Sequence, residues 1–377
     1  MKICDISALY YPHGGGIKTY IDNKRLVYKQ RNIPHILLAP NVENMDKIEK
    51  VTDGSLTLYY LPSRKISFTG TPYYVFKDFN DIKKVLTAES PDIIEIGDKM
   101  TTFFFKKKIQ KLHQDLNVKI FAFSHERADN FSKTVIGNKF MGSLLASMVM
   151  KRFVDAVDYV ITNSEFTAEE IRHRTTADKI FVVYLGIDSS GLNREKYFNQ
   201  DLRDKLSENG NKHLLIHVGR LDKDKRIGLL VQIAKKLDAN RYKLVIVGGG
   251  SHEKLIKDLP AVEFIGYVKY EEVKKYLAVC DLGILINDIE PYGLVGLEMM
   301  AMELPVLGPN KGGLPSFLRK EFAWLLPHHA EDYLQALEEW SSLPVEIKKQ
   351  KSQLARKEVS KYTLDTMVDQ LLAIYQK

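Results

Sequence analysis

The chain is poor in cysteine and in long apolar runs, and each shortage excludes something. Cys4 and Cys280 are the two cysteines in 377 residues. Both lie in or beside apolar runs, which excludes a disulfide scaffold and points to packed thiols of a reducing compartment. No stretch reaches the roughly 20 apolar residues of a membrane span; the longest candidate, FMGSLLASMVM at 140–150, is short and rich in small residues. The opening MKICDIS lacks a signal peptide's apolar core, because Asp5 interrupts it. The expected location is therefore the cytoplasm. Internal repeats, low-complexity segments and recognised nucleic-acid motifs are also missing, so nucleic acid is not an expected partner. A content of 45% apolar and 27% charged residues excludes disorder.

What is present suggests two domains, each long enough to bury a core. Strand-like runs at 2–6, 35–39, 92–96, 119–123 and 158–162 alternate with helical patterns. A second series follows at 213–219, 243–250, 262–268, 282–286 and 305–308. Such alternation predicts an α/β architecture of two doubly wound, Rossmann-like domains with parallel sheets and a cleft between them. The polar, weakly patterned stretch 185–211 is expected to hold the interdomain hinge. The expected division is 1–188, 189–360 and a C-terminal amphipathic helix at 361–377 that crosses back to the first domain. A helix over 226–237 presents Ile227, Leu230, Val231, Ala234 and Leu237 on one face.

Ligands of such sheets bind beyond the carboxyl ends of the strands, and several conspicuous residues fall there. After the run 282–286 comes EPYGLVGLE, with Glu290 and Glu298 eight residues apart around a predicted helix start. Free N–H groups of Gly293 and Leu294 at that start suit hydroxyl or anionic groups. The two carboxylates suit vicinal hydroxyls of a sugar or ribose, or simply a cap and a solvated face. HVGRLDKDKR at 217–226 places Arg220 and Lys225 on a loop after a strand. A guanidinium fork and an ammonium suit a diphosphate and its departure; a solvated basic loop is the plain alternative. Asp222 and Asp224 spell Asp-x-Asp, but Lys223 and Lys225 argue against a metal there, and no metal is expected.

Residues 13–20, HGGGIKTY, lie between a strand and a helical pattern. They match neither the dinucleotide fingerprint nor a P-loop. Gly15 and Gly16 offer bare backbone that a phosphate or sugar could approach closely. His125 follows the run 119–123 and either contacts a sugar or a developing charge, or is a buried structural histidine. Ser164 reads as a helix N-cap. KMTTFFFKKKIQK at 99–111 holds Phe103, Phe104 and Phe105 beside Lys106, Lys107 and Lys108. It suits either an anionic membrane surface or a core helix with a solvated lysine face.

Together these segments resemble a retaining glycosyltransferase of the GT-B fold, from family four (group 1), over nearly the whole chain. EPYGLVGLEMMAMELPVL is similar to the family's Glu-x7-Glu signature with its following helix and Pro-Val strand. VGRLDKDK resembles its Gly-Arg-Leu loop, and LVIVGGG, EFIGYV, KGGLP and GGGIKTY fall in the family's order. The resemblance implies that Arg220 and Lys225 bind the donor diphosphate, Glu290 the donor sugar and Glu298 the ribose. Gly15 and Gly16 would approach the diphosphate and reacting sugar, and His125 would contact that sugar. It implies a nucleotide-diphosphate sugar (a UDP-sugar or GDP-mannose) as donor, no cofactor, no metal, and front-face transfer of a hexosyl group. YPHGGGIKTYIDNK and GDK at 97–99 also resemble the lipid-glycosylating branch of mannosyl- and sulfoquinovosyl-transferases. This implies a lipid or glycan acceptor and a peripheral place on the inner membrane face. Arg226 and Glu303 depart from the family, each standing where glycine is usual. A sugar-nucleotide epimerase and a non-catalytic nucleotide-sugar or membrane-surface binder are the competing classes. The complete set Arg220, Lys225, Glu290 and Glu298 favours the transferase.

Overall fold

A computed structural model describes residues 1–12, 15–68, 71–128 and 139–377. The chain forms two units, Met1–Leu185 with Leu364–Lys377, and Gly186–Thr363.

In the first unit, apolar runs become strands β1 (Ile3–Ile6), β2 (His35–Pro40), β3 (Glu49–Asp53) and β4 (Leu56–Leu61). They continue with β5 (Ser63–Phe68), β6 (Thr71–Phe76), β7 (Ile93–Ile96), β8 (Lys119–Ser124), β9 (Tyr159–Thr162) and β10 (Ile180–Val182). Eight of these form one sheet in the order β10-β9-β8-β7-β1-β2-β4-β3, and β5 pairs with β6 separately. Only β3 runs antiparallel in the large sheet, paired with β4 around the Gly54-Ser55 turn. Strands β1, β2 and β7 are buried along their whole length, as parallel strands covered on both faces must be. The direction of winding reverses between β1 and β7.

The second unit has six parallel strands: β11 (His213–Val218), β12 (Tyr242–Val247), β13 (Val262–Gly266), β14 (Leu282–Ile284), β15 (Val306–Pro309) and β16 (Ala323–Leu326). Their order, β13-β12-β11-β14-β15-β16, reverses between β11 and β14. The helix Ile227–Lys236 buries Ile227, Leu229, Leu230, Ile233 and Ala234. Four of the five expected residues, Ile227, Leu230, Ala234 and Leu237, are thus buried, Val231 is half-buried against the same core, and Leu229 and Ile233 widen the inward face. The stretch expected as a hinge is ordered. Its helices Arg194–Tyr197 and Gln200–Ser207 are held to the unit by two arginines. Arg194 donates to the Ala278 and Cys280 carbonyls at 3.0 and 2.7 Å, and Arg203 pairs with Asp281 at 2.9 Å. The units divide at 185/186 and again at 363/364.

The C-terminal helix Leu364–Tyr375 packs as part of the first unit, burying Leu364, Met367, Val368, Leu371 and Tyr375. A buried charge cluster ties it down. Asp5 and Glu95 face each other in register on β1 and β7, and the fully buried Lys24 bridges them at 2.8 and 2.6 Å. Tyr375 and Tyr20 both donate to Glu95, and His35 Nε2 lies 3.1 Å from Asp5.

Candidate active site

In the second unit the reversal between β11 and β14 opens their carboxyl ends, the position where open α/β sheets bind ligands. The loop after β11 carries Arg220 and Lys225, and the loop after β14 carries Glu290. Glycines let both loops lie against their neighbours. A Cβ on Gly248 would stand 2.1 Å from the Gly219 carbonyl oxygen, and one on Gly250 2.8 Å from Leu221 backbone. Backbone bonds from Leu221 to Gly249 and from His252 to Leu221 then fix the Arg220 loop. Gly313 donates to the Glu290 carbonyl at 2.7 Å. Its own Cβ would meet Pro291 oxygen at 2.0 Å, so only glycine allows this approach.

Lys225 Nζ donates to Glu290 Oε2 at 2.9 Å, and Asn287 Nδ2 donates to the same oxygen at 2.8 Å. Burial pushes the Glu290 carboxyl up, but Lys225 overrides it and holds the pKa below the usual range. Arg226 Nε pairs with Asp288 at 3.1 Å. Exposed Arg220 pairs with Asp222 at 2.5 Å, and Asp222 also accepts from Ser251 N and Oγ. Asp222 is thus committed to shaping the loop; the side chain of Asp224 lies outside the described residues.

Gly293 precedes the helix Leu294–Ala301 at φ +94°, and no side chain caps that helix. A Cβ there would stand 2.6 Å from Leu314, so glycine is required twice over. The first-turn N–H groups from Leu294 onward therefore carry the helix's positive end without a side-chain acceptor. Glu298, inside this helix, does not join Glu290: its partner is Tyr270, whose hydroxyl donates at 2.9 Å. Burial pushes the Glu298 carboxyl up to about 7. Neither Tyr270 nor Asn287 is marked by any spacing in the sequence. Only the fold brings them to the two acids.

Gly15, Gly16 and His125 belong to the first unit. Gly15 and Gly16 begin the helix Gly15–Gln30 and are exposed, with open space around the position of an added Cβ. Gly15 has φ +59°, which itself calls for glycine, while Gly16 has no such demand. Gly14 of the triplet lies outside the described residues. His125 is buried and its ring stacks on Phe123 at 4.3 Å, so part of the structural alternative holds. Burial, then the charges of Lys99 and Lys24, depress its pKa well below the usual range, which keeps the ring neutral. Ser164 caps the helix Glu165–Arg172 by accepting from Thr167 N.

The aromatic and basic stretch divides among several environments on the helix Lys99–Leu116. Phe105 packs with Phe79 against the core, and Phe103 is half-buried under Arg152. Phe104 alone of the three is exposed. Lys106 pairs with Asp155 at 2.7 Å and Lys108 with Asp78 at 3.4 Å. The neighbouring helix Lys139–Asp155 exposes Met141, Leu144 and Met148. No helix among the described residues is long and apolar enough to cross a membrane.

Residues 198–358 match the family described as "Glycosyl transferases group 1", and residues 14–190 match "Glycosyltransferase Family 4". An uncharacterized glycosyltransferase of Methanocaldococcus jannaschii, MJ1607, is 28% identical over 58% of this chain and 59% of its own length. The sulfoquinovosyl transferase SQD2 of Arabidopsis thaliana is 33% identical over 39% of this chain and 29% of its own. The chain thus spans well under two thirds of these two relatives. A GDP-mannose-dependent phosphatidylinositol dimannoside mannosyltransferase of Mycobacterium tuberculosis is 24% identical, covering 84% of this chain and 82% of its own. Among solved structures, a sucrose-phosphate synthase of Thermosynechococcus elongatus superposes with TM-score 0.80 at 17% identity, over 100% and 98% of the two chains. Anabaena HepE in complex with UDP superposes at 0.71 and 16%, over 100% of both.

Proposed function

Because the chain belongs to the group 1 glycosyltransferases and has the GT-B fold, we propose that it is a retaining, metal-independent hexosyltransferase. Its donor is a nucleotide-diphosphate sugar (a UDP-sugar or GDP-mannose) and its acceptor a lipid or glycan at a membrane surface. The observation that carries this reading is the Lys225–Glu290 pair at 2.9 Å beside Arg220, where β11 and β14 diverge. Two cations there bind a diphosphate and stabilise the charge that grows as it leaves. Glu290, held ionised by Lys225, accepts hydrogen bonds from sugar hydroxyls. The departing phosphate takes the acceptor's proton on the same face of the sugar, so the anomeric configuration is kept. GDP-mannose is named for the mycobacterial relative and UDP for HepE; both are the donors to try first.

Thermal-shift screening with UDP, GDP and their sugars identifies the donor, because a ligand of the folded state raises its melting temperature. Lys225→Ala and Glu290→Ala should each lower transfer by about 10²–10³-fold with the fold intact. Near-normal turnover in either would sink the assignment. Proton NMR of the product reads the anomeric configuration.

The membrane part rests on exposed Phe104, Met141, Leu144 and Met148 with exposed Lys107 and Lys151. Apolar side chains entering the headgroup boundary beside lysines suit anionic lipid. The triple change Met141→Ser, Leu144→Ser and Met148→Ser should weaken co-sedimentation with phosphatidylglycerol vesicles several-fold and leave phosphatidylcholine vesicles unaffected. Unchanged sedimentation refutes it.

A further inference from the structure

The second unit carries a cavity at the opposite end of its sheet from the loops of Arg220, Lys225 and Glu290. Its volume is about 440 Å³, and it lies against His213, Asp281 and Pro305, which begin or immediately precede β11, β14 and β15. Arg220, Lys225 and Glu290 follow the carboxyl ends of β11 and β14. The six residues of β11 alone therefore set about 20 Å between the two places. Trp340 and the first turn of the helix Val345–Val359 also line the cavity. Its size suits a small molecule.

The polar groups there divide into those the fold has used and those it has not. Arg194 commits its guanidinium to the Ala278, Cys280 and Glu303 carbonyls. Arg203 is committed to the Val279 carbonyl and the Asp281 carboxylate, and Asp281 also accepts from Leu214 N at 2.8 Å. Lys348 is different. Half-buried, its ammonium donates to the Ser341 carbonyl at 2.9 Å and lies 4.6 Å from the centre of the Trp340 ring. Neither it nor the exposed Lys349 pairs with a carboxylate among the described residues. Burial of that charge holds the Lys348 pKa below the usual lysine value, with Asp281 opposing. His213 stands edge-on to Trp340 at 5.2 Å, and its ring forms no hydrogen bond among the described residues. The same holds for the carboxylate of Glu303, another lining residue, and Trp340 Nε1 is buried without a partner.

We propose that this cavity binds a hydroxylated phosphate monoester, a sugar phosphate, as an effector. Lysine is a point charge suited to phosphate oxygens, and Lys348, Lys349 and the His213 ring are three groups that the fold leaves open for one. Glu303 accepts hydrogen bonds from the sugar hydroxyls. A bare anion meets the Glu303 carboxylate with nothing to donate to it, and a neutral sugar leaves Lys348 without a counter-charge. Only a molecule with both parts answers both. Its occupant does not touch the transferred sugar, because β11 and β14 lie between; it bears on the strands that carry Arg220, Lys225 and Glu290. The effector role rests on the transferase reading; binding of the sugar phosphate does not.

The test is calorimetric titration of the full chain without donor. Mannose 6-phosphate is the probe, mannose the uncharged control and inorganic phosphate the control for the anion alone. The probe should bind, and both controls far more weakly. Lys348→Met should weaken that binding about 10-fold, Glu303→Gln several-fold and Lys348→Arg least. Lys225→Ala should leave it unchanged. The site is refuted if the wild type does not bind the probe, if inorganic phosphate binds as well, or if Lys348→Met binds as tightly. Glu303→Gln decides in its place should Lys348→Met fail to fold. Loss of binding in Lys225→Ala would move the probe to the donor loop and refute the site too. During transfer the probe should shift the donor KM in the wild type and not in Lys348→Met; an unchanged KM overturns the effector role. A chain that binds the probe but transfers no sugar would keep this site and remove the transferase reading.

Discussion

Glu298 is a residue whose chemistry is set by where the chain puts it. Its carboxyl titrates at about 7 because burial penalises the charge, with the Tyr270 hydroxyl only partly offsetting this. The folded pKa lies above the unfolded value, so the stability it contributes is full below about pH 4.5 and is lost as pH rises through about 7. Nucleotide binding should have the opposite sign. On the ribose contact that the resemblance implies for Glu298, hydroxyls donating to the carboxylate would favour its ionised form, and affinity for the donor nucleotide should rise about 10-fold from pH 6 to pH 8. Calorimetric titration at both pH values checks this, with Glu298→Gln expected to flatten the profile. A flat profile in the wild type would remove Glu298 from the ribose contact. The pair of acids eight apart was legible as a candidate. Their separate partners, Lys225 for one and Tyr270 for the other, were not, because both come from elsewhere in the chain.

At the scale of the element, Arg226 and Glu303, two residues that the resemblance sets apart, share one backbone conformation. Arg226 and Glu303 both adopt left-handed backbone, φ +59° and +58°, where glycine is the unstrained choice. Both turns hold this shape with an L-residue, at a cost of about 1–2 kcal/mol each. Glu303→Gly should therefore raise stability by up to about 1 kcal/mol, less the chain entropy that glycine adds to the unfolded state. Arg226→Gly should gain less, because it gives up the ion pair with Asp288. Urea unfolding of both variants measures the difference, and a clear loss for Glu303→Gly would contradict the strain argument. The hairpin of β3 and β4, which no expectation from the sequence included, carries a readable sign in its Gly54-Ser55 turn, but its first strand is exposed and polar and lacks an apolar pattern.

At the scale of the whole molecule, the C-terminal helix completes the first unit. Ending the chain at Thr363 would remove five buried side chains, each worth about 1.5–3 kcal/mol, and would strip Tyr375 from Glu95. The first unit should then lose its cooperative unfolding transition, while the second keeps its own. Lys24→Met leaves two facing carboxylates unpaired and should cost about 3–5 kcal/mol. Scanning calorimetry separates the transitions. A truncated chain that unfolds like the full one would show that the helix is dispensable.

The sequence by itself determined the alternation of strands and helices, the positions of most central strands, and the loops that bear the charged residues. Those features are local: apolar periodicity and glycines after strands are written within a few residues of where they act. Tertiary structure decided which of them meet. Lys225 finds Glu290 across 65 residues only because β11 and β14 are neighbours at a reversal of the sheet. Lys24 lies between Asp5 and Glu95 only because β1 and β7 pair in register. The glycines of 312–313 proved to serve the close approach of one backbone to another, and such an approach exists only once the strands have been ordered.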